Sequence, residues 1–224
     1  MGILTKTKSI IYRAARKFIV VNKSHFFAMD GFSDVVCSSD LSDRFHFASF
    51  DKTDRMNARI TAFAGESLLY LLDGKNAICT VAFEDTHPIA FAWWAFGKIP
   101  AELNHDGDPL TGLPLQMPPD MAYLFNVFVR QEYRGQRLYP NLIRHSERVL
   151  NEKGIRRITL ATEYTNRPAL RSVERMGFYP IGNSRLVNLC GWSWANYPES
   201  PMENGVEIGR YVGDTQRTPT EKRV

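Results

Sequence analysis

Val127 to His145 reads V-F-V-R-Q-E-Y-R-G-Q-R-L-Y-P-N-L-I-R-H, and this stretch decides the fold. An apolar run, Tyr123 to Val129, enters a short polar turn centred on Gly135, and an amphipathic segment follows at once. The order is strand, tight turn, helix. Such a turn presents backbone N–H groups at a helix N-terminus, where the helix dipole favours an anion. Arg134 and Arg137 add two positive charges beside them. The stretch therefore reads as a phosphate cradle for a phosphate-bearing cofactor.

Downstream, Leu138, Leu142, Ser146, Val149 and Leu150 fall on one face of a helix expected over Leu138 to Lys153, with Gly154 as its C′ residue. Pro140 is tolerated because it lies in the first turn. Ile155 to Thr162 reads as the next strand, so the unit is a βαβ crossover with parallel pairing. Thr165 or Asn166 then caps a second helix that opens with Pro168 and stops at Gly177. Phe178 to Ile181 and Arg185 to Trp194 read as two closing strands.

Upstream, Ala77 to Glu84 and Ile89 to Phe96 read as strands of an antiparallel meander, preceded by a strand over Leu68 to Leu72 and the turn Asp73 to Asn76. Asp51 to Phe63 reads as a helix capped by Asp54 and ended by Gly65. Residues 100–120 carry five of the twelve prolines and two glycines, which marks a long loop that either covers a substrate cleft or is a plain surface excursion. Residues 1–29 hold six basic residues and no acidic one, with Ile10, Ile11, Ala14, Ala15, Phe18 and Ile19 at helical spacing. That helix either packs on the domain with a solvated basic face or lies on a membrane surface. The expected organisation is a basic N-terminal segment (1–29), one catalytic-size domain (30–198) and a polar tail (199–224).

Composition sets bounds. A chain of 224 residues with 44% hydrophobic residues builds a sizeable core, and a net charge of +4 gives no case for nucleic acid. Three cysteines without CxxC spacing suggest reduced thiols in a cytoplasmic protein. No apolar run reaches the roughly 20 residues of a membrane span. The five histidines lack paired-ligand spacing, and Asp106 and Asp108 supply only part of a calcium loop, so no metal site is expected.

With these elements in order, the chain resembles the GNAT superfamily of acyl-CoA-dependent N-acyltransferases. V-R-Q-E-Y-R-G-Q-R-L-Y-P-N-L-I, Val129 to Ile143, is similar to the family's pyrophosphate loop. N-R-P-A-L-R-S-V-E-R-M-G-F, Asn166 to Phe178, is similar to its following helix with the terminal Gly-Phe. The resemblance implies an α+β fold, a mostly antiparallel mixed sheet with one central parallel βαβ pair and flanking helices. It implies transfer of an acetyl or longer acyl group from acyl-CoA to a small amine or sugar-like acceptor, by direct attack on the thioester. The alternative is a GNAT-like domain that binds acyl-CoA or a partner without turnover. The acyl chain length, the acceptor and the oligomeric state stay open.

By the same resemblance, the cofactor would meet the strand backbone at Phe128 and Val129, the loop Arg134, Gly135, Gln136, Arg137, Leu138 and Tyr139, and the side chain of Asn166. Arg137 and Tyr139 stand where the family usually keeps glycine or alanine. Val173 stands where it often keeps a tyrosine that protonates the leaving thiolate, with Tyr164 and Tyr139 as substitutes. Glu163, at the end of a strand, is the candidate general base, against the plain alternative of a surface carboxylate; Asn126 cannot ionise, and Glu84 and Asp85 lie further off.

Overall fold

A computed structural model describes residues 19–32, 44–74, 76–103, 114–189, 192–196 and 205–208. Its strands are β1 (Ile19–Asp30), β2 (His46–Phe50), β3 (Ala77–Glu84), β4 (His87–Phe96), β5 (Lys98–Ile99), β6 (Leu115–Gln116), β7 (Met121–Val129), β8 (Arg157–Glu163), β9 (Tyr179–Leu189), β10 (Trp192–Asn196) and β11 (Glu207–Ile208). The helices are α1 (Ala58–Ala64), α2 (Leu69–Asp73), α3 (Leu138–Glu152) and α4 (Arg167–Arg175), with short 3-10 turns between elements.

The main sheet has eight strands in the order β10-β9-β1-β8-β7-β4-β3-β2. Every neighbour pair is antiparallel except β7 and β8, which run parallel through the α3 crossover. A three-stranded sheet, β11-β6-β5, is built from the segment between β4 and β7 and from residues after β10. The architecture is thus the α+β, mostly antiparallel sheet with one parallel pair.

Both faces of the sheet are covered, which explains why β3 and β4 read as nearly continuous apolar runs. One core lies under α1 and α2 and includes Cys79, Val81, Phe91, Trp93 and Tyr123. The other lies under α3 and α4 and includes Ile78, Trp94, Leu124, Leu142 and Val173. Trp93 and Trp94 are adjacent, point to opposite faces and are both fully buried. Trp93 Nε1 donates to the carbonyl of Ala64 at 2.9 Å, and Trp94 Nε1 donates to Ser146 Oγ at 2.9 Å.

Ser146 fastens α3 to the sheet. Its hydroxyl donates to Leu142 O at 2.8 Å, which uses its one proton. Thr80 Oγ1, 2.7 Å away, must then donate to Ser146, and Ser49 Oγ to Thr80 at 2.9 Å. A directed chain of hydroxyls therefore links β2, β3, β4 and α3 inside the core.

Several expectations change. Residues 19–29, counted with the N-terminal segment, belong with Asp30 to β1, in the middle of the sheet between β8 and β9. Phe26 packs in one core and Phe27 in the other, so the strand is buried on both faces and shows little alternation of polarity. Leu68–Leu72 is not a strand: α2 occupies Leu69–Asp73, an ambiguity inherent in short apolar runs. The helix expected over Asp51 to Phe63 is split: a 3-10 turn at Thr53–Arg55, then α1, capped by the side chain of Asn57 instead of Asp54. The closing strands are one long β9 and β10, divided near residues 190–191 rather than at 182–184. Of the helix expected over Ile10 to Ile19, Ile19 instead starts β1, and of the loose tail expected over 199–224, Glu207 and Ile208 instead form β11 beside the buried Val206; the rest of both, and the Asp106–Asp108 loop, lie outside the described residues.

Candidate active site

The site starts with a break in the sheet. The parallel ladder between β7 and β8 runs from Met121–Arg157 to Leu124–Leu160 and stops there. Beyond that point β7 pairs only with β4, and β8 only with β1. A bulge helps turn β7 away: Trp93 faces Asn126 and Trp94 faces Leu124, so Phe125 is the extra residue. The strands part around a cleft of about 550 Å³ lined by residues 123–129 of β7 and 160–163 of β8. Arg134, Tyr139, Asn166, Ala169, Ser172 and Val173 close one side. The volume falls within the roughly 300–1,000 Å³ of small-molecule sites.

Two of the loop's backbone positions are unusual. Gly135 has φ +79°, and a Cβ there would meet nothing within 4 Å. Arg137 also takes the left-handed conformation, φ 56° and ψ 23°, and forms the N-cap of α3. The conformation that a glycine would adopt without strain is thus kept by a side-chain-bearing residue, at a cost of about 1–2 kcal/mol. No side chain caps α3, and its first turn has no acidic residue, so this 15-residue helix directs its N-terminus at the loop without a built-in anion.

The side chains divide as follows. Arg134 Nε donates to Val129 O at 3.2 Å, which holds the guanidinium between loop and strand end, on the cleft. Tyr139 also lines the cleft, and burial pushes its phenol well above the ordinary tyrosine range. Asn166 caps α4 by accepting from Ala169 N at 3.2 Å and borders the cleft as well. Phe128 and Val129 form its β7 wall. Gly135, Gln136 and Arg137 shape the loop and Leu138 opens α3, buried in the core, but none of the four is among the lining residues.

Glu163 lies on the cleft at the end of β8 and accepts from Thr165 Oγ1 at 3.1 Å. Tyr164 does not line the cleft: its ring is half exposed, with Lys23 Nζ 5.6 Å from its centroid. Of the two substitute tyrosines, only Tyr139 faces the reaction space. Val173, 1% exposed, sits on the cleft wall with no proton to offer. Among the described residues no cluster of His, Cys, Asp or Glu suits a metal ion.

A tether behind the loop was not foreseen. Tyr133 O–H donates to Glu84 Oε2 at 2.5 Å, and Arg44 Nε donates to Glu84 Oε1 at 2.8 Å. Arg44 also donates to Gln136 Oε1 at 3.1 Å, so one guanidinium joins the end of β3 to the loop. The Tyr133 and Arg44 hydrogen bonds hold the Glu84 carboxyl below the usual glutamate range. A depressed native value means the tether's contribution is complete above the unfolded pKa, about 4.3, and is lost as pH falls through the native value. The difference in melting temperature between the wild type and Glu84→Gln should therefore be constant near neutrality and disappear in acid. A difference that persists unchanged at low pH would contradict this. Sequence offered no signal for the tether, because residues 44, 84, 133 and 136 meet only through the β2–β3 pairing and the loop.

A model of the acetyltransferase (GNAT) family matches residues 43–178. The chain belongs to the GNAT family. A Bacillus subtilis (strain 168) protein named as a candidate ribosomal-protein alanine N-acetyltransferase is 35% identical over 63 residues, 28% of this chain and 42% of that one. The chain thus spans less than half the length of that relative. Among solved structures, a tandem GNAT protein from the clavulanic acid biosynthesis pathway superposes with a TM-score of 0.50 at 16% identity, over 84% of this chain and 58% of that one. A GCN5-related N-acetyltransferase from Kribbella flavida gives 0.50 at 12%, over 81% and 63%. At such identities the structural matches speak for the fold alone.

Proposed function

We propose that the protein is an N-acyltransferase that moves an acetyl group from acetyl-CoA to a small amine in the cytoplasm. The observation that carries this is the split between β7 and β8, with a positive-φ loop and a helix N-terminus following the end of β7 and a carboxylate at the end of β8.

The residues fit the donor. Arg134 and the N-terminus of α3 would hold its pyrophosphate, with the backbone at Gly135 open to close approach. The backbone of Phe128 and Val129, and the side-chain amide of Asn166, would hold the pantetheine arm. Arg137 does not obstruct: its side chain is exposed and outside the cleft lining. Acetyl-CoA supplies a carbonyl already activated as a thioester.

The chain's own residues then do the rest. Glu163, directly or through a water, takes the proton from the attacking amine as the C–N bond forms. Backbone N–H groups of β7 beyond the bulge stabilise charge on the acyl oxygen. The C–S bond breaks and the electron pair leaves with sulfur. Tyr139 serves the leaving sulfur as a hydrogen-bond donor. Complete proton transfer would run uphill, because its phenol lies above the ordinary tyrosine value whereas a thiol titrates near about 8.5.

Binding tests this first. At 100 times its Kd, CoA stabilises a protein by about 2.7 kcal/mol, a rise of roughly 5–10 °C for a chain of this size. Arg134→Glu should remove that rise while leaving the unliganded melting temperature near the wild-type value. An unshifted wild type at saturating CoA would overturn the proposal.

A further inference from the structure

The cleft has two unlike faces. α3 and α4 close one, where the donor's groups gather. The opposite face, on the α1 and α2 side, is where an acceptor must approach the acyl carbon. Strand alternation and core membership identify its side chains. Met121, Tyr123 and Phe125 pack into the α1–α2 core. The bulge brings Asn126 opposite Trp93, and Phe128 opposite Phe91, both partners belonging to that core. On β8, Ala161 packs there, and Glu163, two residues on, points to the same side.

Phe128 is the unusual member: 41% exposed, yet held on two sides. Its ring stacks on Phe91 with centroids 5.6 Å apart and planes at 24°. It meets Phe63 of α1 edge to face at 5.6 Å and 74°, and Phe63 meets Phe91 at 5.4 Å and 86°. Arg130 lies 4.9 Å over Phe63, anchored by a 3.0 Å bond from Nε to Pro88 O, and so occupies the outer ring and leaves Phe128 as the ring on the cleft. Three interlocked aromatics thus hold one exposed ring on the cleft that the Glu163 carboxylate also lines.

We infer that the acceptor is a primary amine borne on an aromatic or apolar body, the body lying on Phe128 and Phe125 and the nitrogen directed at Glu163. The inference rests on the acyl-transfer reading. Covering an exposed ring with another ring gains area burial and aromatic contact together. The Glu163 carboxylate complements the ammonium, which gives its first proton to solvent so that the neutral amine can attack and pass the second to Glu163. A polyhydroxylated amine would bring many hydroxyls to a face on which, among the described cleft-lining residues, Asn126, Glu163 and the buried Tyr123 supply the polar side chains; unpaired hydroxyls are costly to bury.

The test compares 2-phenylethylamine with glucosamine by calorimetric titration of the full-length chain, with and without saturating CoA. The aromatic amine is expected to bind at least about tenfold more tightly, and Phe128→Ser to erase most of that preference, the size of one good aromatic contact. CoA affinity is measured for each variant in parallel. Equal affinities, or a preference for glucosamine, would overturn the inference. A preference for the aromatic amine without any CoA binding would leave an aromatic-amine site on Phe128 and sink acyl transfer, and with it the role of that amine as acceptor.

Discussion

Glu163→Gln is expected to lower amine-dependent acetyl transfer by about 10²–10⁴-fold, the usual worth of a positioned general base. The carboxylate ends β8 on the wall of the split, on the acceptor's side. Glutamine keeps its shape and can still accept from Thr165, whose hydroxyl lies 3.1 Å from Glu163 Oε2. What it loses is the capacity to take a proton. The CoA-induced rise in melting temperature should survive the substitution, which separates loss of chemistry from loss of the donor site. Full activity in Glu163→Gln would place the base elsewhere and return Glu163 to the role of a surface carboxylate.

The largest effect on stability is expected at Trp94. The side chain is fully buried against α3, and its indole N–H ends the hydroxyl chain at Ser146. Trp94→Ala removes a large core side chain and leaves a cavity, at a cost of about 3–5 kcal/mol. For a chain of this size that corresponds to a fall in melting temperature of roughly 6–20 °C. Trp94→Phe keeps much of the volume and loses the hydrogen bond, so it should fall between. A Trp94→Ala protein melting within about 2 °C of the wild type would mean that α3 is not fastened to the sheet in this way.

What was legible in the sequence was local. The strand, turn and helix around Gly135 announced themselves because each signal lies within a few residues of the next. So did α4, with Asn166 as its cap and Gly177 at its end: the side-chain cap is present, and Gly177 has φ +90°. The emptiness of the Val173 position was visible too, and the structure gives no reason to revise it. The cofactor loop's departures from the family pattern were legible as substitutions but not as geometry. Arg137 keeps the left-handed backbone that its side chain disfavours.

What was hidden depends on long-range pairing. β1 enters the sheet beside β8, well over a hundred residues away in sequence, with Phe26 opposite Ala161 and Phe27 opposite Leu160. The Phe26-Phe27 cluster is strand-like in sequence, but with both faces buried no period of two marks the strand's length or its place in the sheet. α2 is too short for a helical period and too apolar to exclude a strand. The acceptor face joins Phe63, Phe91 and Phe128 from three elements, and the tether joins Arg44, Glu84 and the loop residues Tyr133 and Gln136 from three segments. Phe128, Gln136 and Glu84 are legible as candidates for other roles, but their joining to the remaining residues depends on the sheet order.

The central claim is that the split between β7 and β8 delivers an acyl group to an amine. Its most direct measurement is release of free CoA thiol from acetyl-CoA by the full-length chain with 2-phenylethylamine, followed alongside the mass of the amine. The account predicts amine-dependent thiol release, matched by the appearance of one acetyl group on the amine, and loss of both in Arg134→Glu. Binding of acetyl-CoA with no thiol release above the hydrolysis background, for aromatic, aliphatic and sugar amines alike, would contradict it.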